Sequence, residues 1–215
     1  MKQIRHHLTD DLLMAYASGN LPEALSLVVA THISMCDSCR AQLASFDAVG
    51  GELLDDLEAV TMSDGALGAT LKQIMDAPAE TTIQRPKADS LFPAPLQDYV
   101  GADLDAIKWR PMGMGVRQSL IKTSKGASVR LLHIPAGCAV PDHGHHGTEL
   151  TLVLQGAFRD HNDRFGPGDI EVANEDLHHT PVAEDGVDCI CLAASDAPLS
   201  FNGILPKIAQ RFMGI

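Results

Sequence analysis

Apolar residues recur along this chain with two different periods. Up to about Ala77 the spacing is helical. Thr9 can N-cap a first helix, DDLLMAYAS, with two acids in its opening turn and Gly19 to stop it. Pro22 suits the first position of a second, PEALSLVVATHISM, and Ser38 or Asp37 can start a third, CRAQLASFDAV, ending at Gly50 and Gly51. In GALGATLKQIM, Leu67, Leu71, Ile74 and Met75 follow i, i+4, i+7, i+8 and predict a fourth. From Ala77 to Pro95 the period fails, and Pro78, Pro86, Pro93 and Pro95 predict a semi-rigid linker. Beyond it VRQSLIK, SVRLLHI, ELTLVLQGAFRD, DIEVA and VDCICLAA are short apolar or alternating runs separated by Gly, Pro and Asp, the pattern of an all-β sandwich or barrel. The expected architecture is two domains: a small all-α unit of four helices over residues 1–77, a Pro-rich linker over 78–97, and an all-β unit over 98–215.

Composition adds chemistry to this outline. With 215 residues, 45% of them apolar and 20% charged, the chain has enough apolar surface to fold. The opening MKQIRHHLTDDLL has no apolar signal region, and no run approaches the ~18 apolar residues of a membrane span, so a cytoplasmic protein is expected. Five Cys and ten His stand against one Trp, two Tyr and six Phe, a weighting toward metal-ligand types. In a reducing compartment such cysteines serve as ligands or thiols rather than disulfides. The formal charge is −12, and residues 1–80, with four basic and twelve acidic side chains, carry −8 of it. That balance argues against a direct DNA-binding regulator, which needs clustered Lys and Arg, and favours a basic partner.

His32, Cys36 and Cys39 form H-x3-C-x2-C. If one helix runs through them, i, i+4 and i+7 place all three on one stripe. Zinc accepts thiolate and imidazole together, and His6 or His7, just before the first helix, can supply the fourth ligand. A lone C-x2-C can also serve redox chemistry or simple packing, but no βαβ context supports a redox motif here. The segment from His7 to Cys39 resembles the zinc-binding anti-sigma domain of bacteria. That resemblance implies His7, His32, Cys36 and Cys39 as the zinc ligands, in a four-helix unit that occludes the polymerase-binding surfaces of an extracytoplasmic-function sigma factor.

A second constellation reads GCAVPDHGHHGTELTLVLQG, from Gly137 to Gly156, and fits G-x5-H-x-H-x3-E-x6-G. It resembles the first motif of the cupin superfamily, a double-sheet β-barrel that holds a metal in its mouth. On a strand His143 and His145 share a face while His146 points away, so spacing favours the first two as ligands, with Glu149 completing the set. For the remaining imidazole, His178 and His179 fall on opposite faces. His179, immediately before Thr180 and Pro181, is the expected ligand, although its distance from the FGPGD turn is looser than the cupin pattern. Three imidazoles and a carboxylate suit Zn, Mn, Fe or Ni without choosing among them. Cys189 and Cys191 share one strand face, either as packed small hydrophobes or as an oxidant-sensitive pair near the metal, and Cys138 is expected to pack at its turn.

An anti-sigma zinc domain followed by a cupin resembles the ChrR-type anti-sigma factors across nearly the whole chain. The resemblance implies a cytoplasmic inhibitor forming a 1:1 complex with its sigma factor, and a cupin that governs release under singlet-oxygen or related oxidative stress. It implies no catalysis. The competing reading is a metal-dependent cupin dioxygenase or isomerase with an N-terminal zinc assembly module, and no acid/base dyad beyond the metal ligands supports it. The acidic helical half would complement a sigma factor's basic DNA-binding regions. The stripes Leu8, Leu12, Leu13, Tyr16 and Leu67, Leu71, Ile74, Met75 are expected to exceed what so small a unit can cover, leaving part of them for a partner.

Overall fold

The computed structural model describes residues 3–78, 87, 89–101, 103–140, 143–144, 147–175, 177–197 and 200–201, without the side chains of 143, 200 and 201. Helix α1 spans Asp10–Ala17, and the Thr9 hydroxyl accepts from the Leu12 N–H as its N-cap. Helix α2 (Glu23–Met35) begins one residue after Pro22, which is its cap. Cys36, at φ −110° and ψ 107°, ends α2 and caps α3 (Asp37–Asp55). The H-x3-C-x2-C segment is therefore two helices meeting at a cysteine, not one continuous helix. Gly50 and Gly51 do not end α3, which continues to Asp55. Neither glycine adopts a positive φ, so each only weakens the helix interior by up to ~1 kcal/mol. Helix α4 is Ala66–Asp76, close to its predicted span.

A fifth helix, α5 (Ala94–Val100), lies where the prolines predict linker, so the four-helix count falls short by one. Pro93 is its N-cap and Pro95 sits in its first turn, where a missing N–H and a fixed φ favour helix initiation. Phe92 and Leu96 are fully buried, while residues 79–86 and 88 of the expected linker lie outside the described residues.

Among the described residues twelve strands follow: β1 (Arg110–Gly113), β2 (Val116–Ile121), β3 (Ser128–Ile134), β4 (His143–Gly144), β5 (Glu149–Gln155), β6 (Phe158–Arg159), β7 (Arg164–Phe165), β8 (Ile170–Ala173), β9 (His178–His179), β10 (Val182–Ala183), β11 (Cys189–Ser195) and β12 (Ser200–Phe201). The run ELTLVLQGAFRD is cut into β5 and β6 at Gly156, whose φ is +69°. Pairing is antiparallel throughout: one sheet of order β1-β2-β3-β11-β5-β8 and two of three strands, β10-β6-β7 and β12-β4-β9. Among the described residues these sheets are not closed into one another by strand pairing.

The two faces of the large sheet have different partners. Alternation along β11 turns Cys189 and Cys191 toward Val116, Ile134, Val153, Phe158 and Phe165. It turns Ile190, Leu192 and Ala194 to the other face, where Val129, Leu131, Leu150 and Leu152 join Leu25, Val28 and Val29 of α2 in one buried cluster. Leu8 and Leu13 belong to the same cluster and Leu12 and Tyr16 pack on it, so the stripe of the first helix is spent inside the molecule. Helix α2 keeps seven residues buried, including the adjacent β-branched Val28 and Val29, because α5 and the sheet both pack on it. The Glu23 carboxylate pins its N-terminal end by accepting from the Tyr99 hydroxyl (2.9 Å) and the Ser124 N–H (2.6 Å).

Leu192 lies at the centre of this shared core, fully buried. Leu192→Ala is expected to cost about 2–5 kcal/mol. Scanning calorimetry should then show helices and sheet melting in one transition at a lower temperature; two transitions with only one displaced would contradict a common core.

Candidate metal centre

Three different pieces of backbone bring four donors together. His32 occupies the last turn of α2, Cys36 the junction, Cys39 the first turn of α3, and His7 the segment leading into α1. Their ligand atoms all lie within 4.8 Å of one another. His7 Nδ1 is 3.3 Å from Cys36 Sγ and 3.7 Å from Cys39 Sγ, and His32 Nε2 is 3.3 Å from Cys39 Sγ. Tetrahedral zinc, with bonds of about 2.0–2.3 Å, needs ligand-to-ligand edges of about 3.3–3.8 Å. These three edges fall in the range that zinc needs.

The electrostatics fit as well. Burial lowers the His32 pKa to about 4 against the opposing pull of the Gly168 backbone and the Asp169 charge, so this imidazole is neutral, as a ligand must be. Burial, reinforced by Cys36, pushes the Cys39 thiol up to about 11. Two thiolates side by side in so dry a place require a cation between them. Cys36 Sγ also accepts from the Cys39 N–H at the start of α3, where the helix dipole favours negative sulfur. Between His6 and His7, the structure puts His7 in the cluster. The His6 ring turns to the β-sheets instead, with Nε2 2.9 Å from Asp163 and the ring 4.3 Å from that of Phe165.

The second expected set is visible only in part, because His145, and the side chain of His143, lie outside the described residues. The backbone of His143 pairs directly with that of His179 across β4 and β9. His179 is buried, 4% exposed, whereas His178 faces outward with its ring over Gly144. Glu149, at the start of β5, is half-buried and accepts from the Thr151 hydroxyl. Two carboxylates that spacing did not nominate sit beside His179: Nδ1 is 3.2 Å from Glu171 and 3.3 Å from Asp160. The donor atoms of these three side chains lie within 4.8 Å of one another. Burial acts to lower the pKa of His179, but hydrogen bonds and charge from Glu171 and Asp160 outweigh it and raise the value. An acid in the middle of the apolar run DIEVA was the available signal for Glu171.

Cys189 and Cys191 are buried free thiols with their sulfurs 3.5 Å apart. The hydrogen bond with Cys189, burial and the charges of Glu171 and Glu149 all raise the Cys191 pKa. Cys191 is thus held as a neutral thiol, within electrostatic reach of the Glu171 carboxylate that partners His179.

Comparison with known proteins agrees with both halves of this description. Residues 7–40 match a family model described as a putative zinc-finger, and residues 97–197 match the ChrR Cupin-like domain. The chain is 57% identical to the anti-sigma-E factor ChrR of Cereibacter sphaeroides over 99% of each protein. It also resembles a crystal structure of Rhodobacter sphaeroides SigE in complex with the anti-sigma ChrR, with a TM-score of 0.81 and 55% identity over 90% of this chain and 99% of that one. A helical unit with a clustered His2Cys2 set, followed by cupin-like sheets and identical at more than half its positions to a full-length relative, belongs to the ChrR family of anti-sigma factors.

Proposed function

We propose that this protein sequesters an extracytoplasmic-function sigma factor in a 1:1 cytoplasmic complex and keeps it from RNA polymerase, and that its cupin half governs release under singlet-oxygen or related oxidative stress. The observation that carries this reading is apolar surface left without cover. Helix α4 buries none of its residues; Leu71 is 49% exposed and Met75 82%. The end of α3 and the chain after it continue the patch with Leu53, Leu54, Leu57, Val60 and Met62. Between Ala41 and Leu71 the only charges are acidic, among them Asp47, Glu52, Asp55, Asp56, Glu58 and Asp64. An apolar stripe bordered by acids suits a partner that is basic and presents apolar grooves, and the similar solved structure is that of an anti-sigma factor in complex with SigE. Identity to an anti-sigma factor along the whole chain speaks against the dioxygenase or isomerase reading.

Zinc is assigned to His7, His32, Cys36 and Cys39, where it supplies a neutral, buried cross-link between the α1 lead-in, α2 and α3. A divalent metal is assigned to His143, His145, Glu149 and His179, on the three sheets read as the two layers of a cupin barrel. Supporting that set, Nδ1 of His179 is engaged by Glu171 and Asp160, which orients the ring in the usual carboxylate–histidine arrangement behind a metal ligand.

Two measurements check this reading. Co-expression with a cognate sigma factor, followed by size exclusion and metal analysis, is expected to give a 1:1 complex with two metals per chain; treatment with a strong chelator, or Cys36→Ala, should remove the zinc and much of the helical signal. Replacing Leu71 and Ile74 together by Asp should weaken sigma binding by about 100-fold or more while changing stability by less than ~0.5 kcal/mol, because both side chains are exposed in the free protein. Association should also slow as salt is raised.

A further inference from the structure

One turn of the cupin half touches the zinc half at several points. Between β7 and β8, residues 166–169 form a tight turn in which the buried Asp169 carboxylate accepts the Gly166 N–H at 2.8 Å. The same carboxylate reaches out of the turn and accepts the backbone N–H groups of Arg5 (2.6 Å) and His6 (3.1 Å). Ile170 N–H donates to the His6 carbonyl at 3.4 Å, so the N-terminal strap is bound to the edge of β8 from both sides. Gly168, at φ +91°, fits closely: a Cβ there would come within 2.7 Å of Ile4 and 3.7 Å of Met35. The next residue after this grip is His7, whose Nδ1 completes the donor cluster.

We propose that Asp169 is a positioning residue for the zinc centre, holding the strap so that His7 is presented to Cys36 and Cys39. His7 needs such help. It is the one exposed member of the four and belongs to no helix or strand, and the two residues before it, Arg5 and His6, are held through their backbone N–H groups by the cupin turn. Ordering an unstructured ligand costs conformational entropy, and the strap bonds supply that order before the ion arrives. The same grip gives the barrel a short route to the zinc site. Asp169 is two residues from Glu171, whose side chain holds His179 from the interior, so a displacement of β8 at Glu171 moves the group that holds the strap.

This proposal rests on zinc occupying the N-terminal site, and the test separates the two. The full-length protein is loaded with zinc and challenged with excess chelator. Zinc release is followed site-specifically as the reactivity of Cys36 and Cys39 toward a maleimide, and hydrogen exchange is read at residues 4–8. Two variants are compared with the wild type: Asp169→Ala, and Arg5→Pro, which removes the shorter of the strap's two N–H donors to Asp169 and leaves the turn's own bond to Gly166 intact. Both are expected to exchange rapidly at the strap and to lose zinc about 10–100-fold faster than the wild type, the range typical of groups that orient a ligand. Faster release in Asp169→Ala alone would mean a role within its own turn and overturn the proposal, as would Arg5→Pro releasing zinc at the wild-type rate with its strap freely exchanging. If the wild-type cysteines are unprotected by zinc at the outset, the zinc assignment itself fails and the proposal with it.

Discussion

Helix α2 has two sets of neighbours to satisfy at once. On one side Leu25, Val28 and Val29 fill the outer face of the six-stranded sheet; along its length α1, α3 and α5 pack on it; and its last turn carries His32 into the metal cluster. At roughly 1.5–3 kcal/mol per fully buried aliphatic side chain, these contacts dominate anything a surface ion pair supplies. Once α2 is fixed on the sheet, the rest of the helical half has little freedom. Cys36 must turn the chain at the end of α2, α3 must leave in the direction that the cap dictates, and the strap must cross the β7–β8 turn to bring His7 back to the cysteines.

The metal cluster follows from that placement and stabilises it in return. A Cys2His2 site with neutral imidazoles and two thiolates carries no net charge when zinc is bound, so it can sit beside an apolar core at small desolvation cost. It also joins three segments of backbone, the α1 lead-in, α2 and the start of α3. The helical half is short of core of its own, since α4 contributes no buried residue and the second half of α3 very little. Stability there has two sources, the sheet beneath α2 and the ion between the helices.

Much of this was legible from residue spacing. The caps Thr9 and Pro22, the α4 stripe, the strand runs and the His32, Cys36, Cys39 triplet are local signals, and local geometry obeyed them. What spacing missed was long-range. Prolines 93 and 95 read as linker because their effect on a chain with no partner is to break period; packed on α2, the same residues start α5. The stripe of Leu8, Leu12, Leu13 and Tyr16 read as surface for a partner because the sheet that joins its core lies more than a hundred residues further on. Choosing His7 over His6 depended on resemblance, whereas the structure gives the physical reason: Asp163 and Asp169 claim the His6 side chain and backbone. Asp160 and Glu171 were missed because a carboxylate that orients a histidine has no fixed spacing from it.

Where the apolar patch lies constrains how the two halves can communicate. The exposed side chains of α4 and the end of α3 take no part in the buried cluster that joins α2 to the sheet, so a partner covering them need not displace the cupin half. Competition for one surface is therefore a poor description of release. A signal sensed in the cupin-like half would alter partner affinity only if it changed the free energy of the helical half differently in the bound and free states. The elements common to both are α2, buried on the sheet, and the zinc cluster seated against the β7–β8 turn. Repacking the α2 interface would cost several kcal/mol of core burial, more than the 1–3 kcal/mol of a typical coupling energy. Loosening a few hydrogen bonds at the turn lies within that range, which makes the metal-bearing corner the cheaper place for the two halves to influence one another.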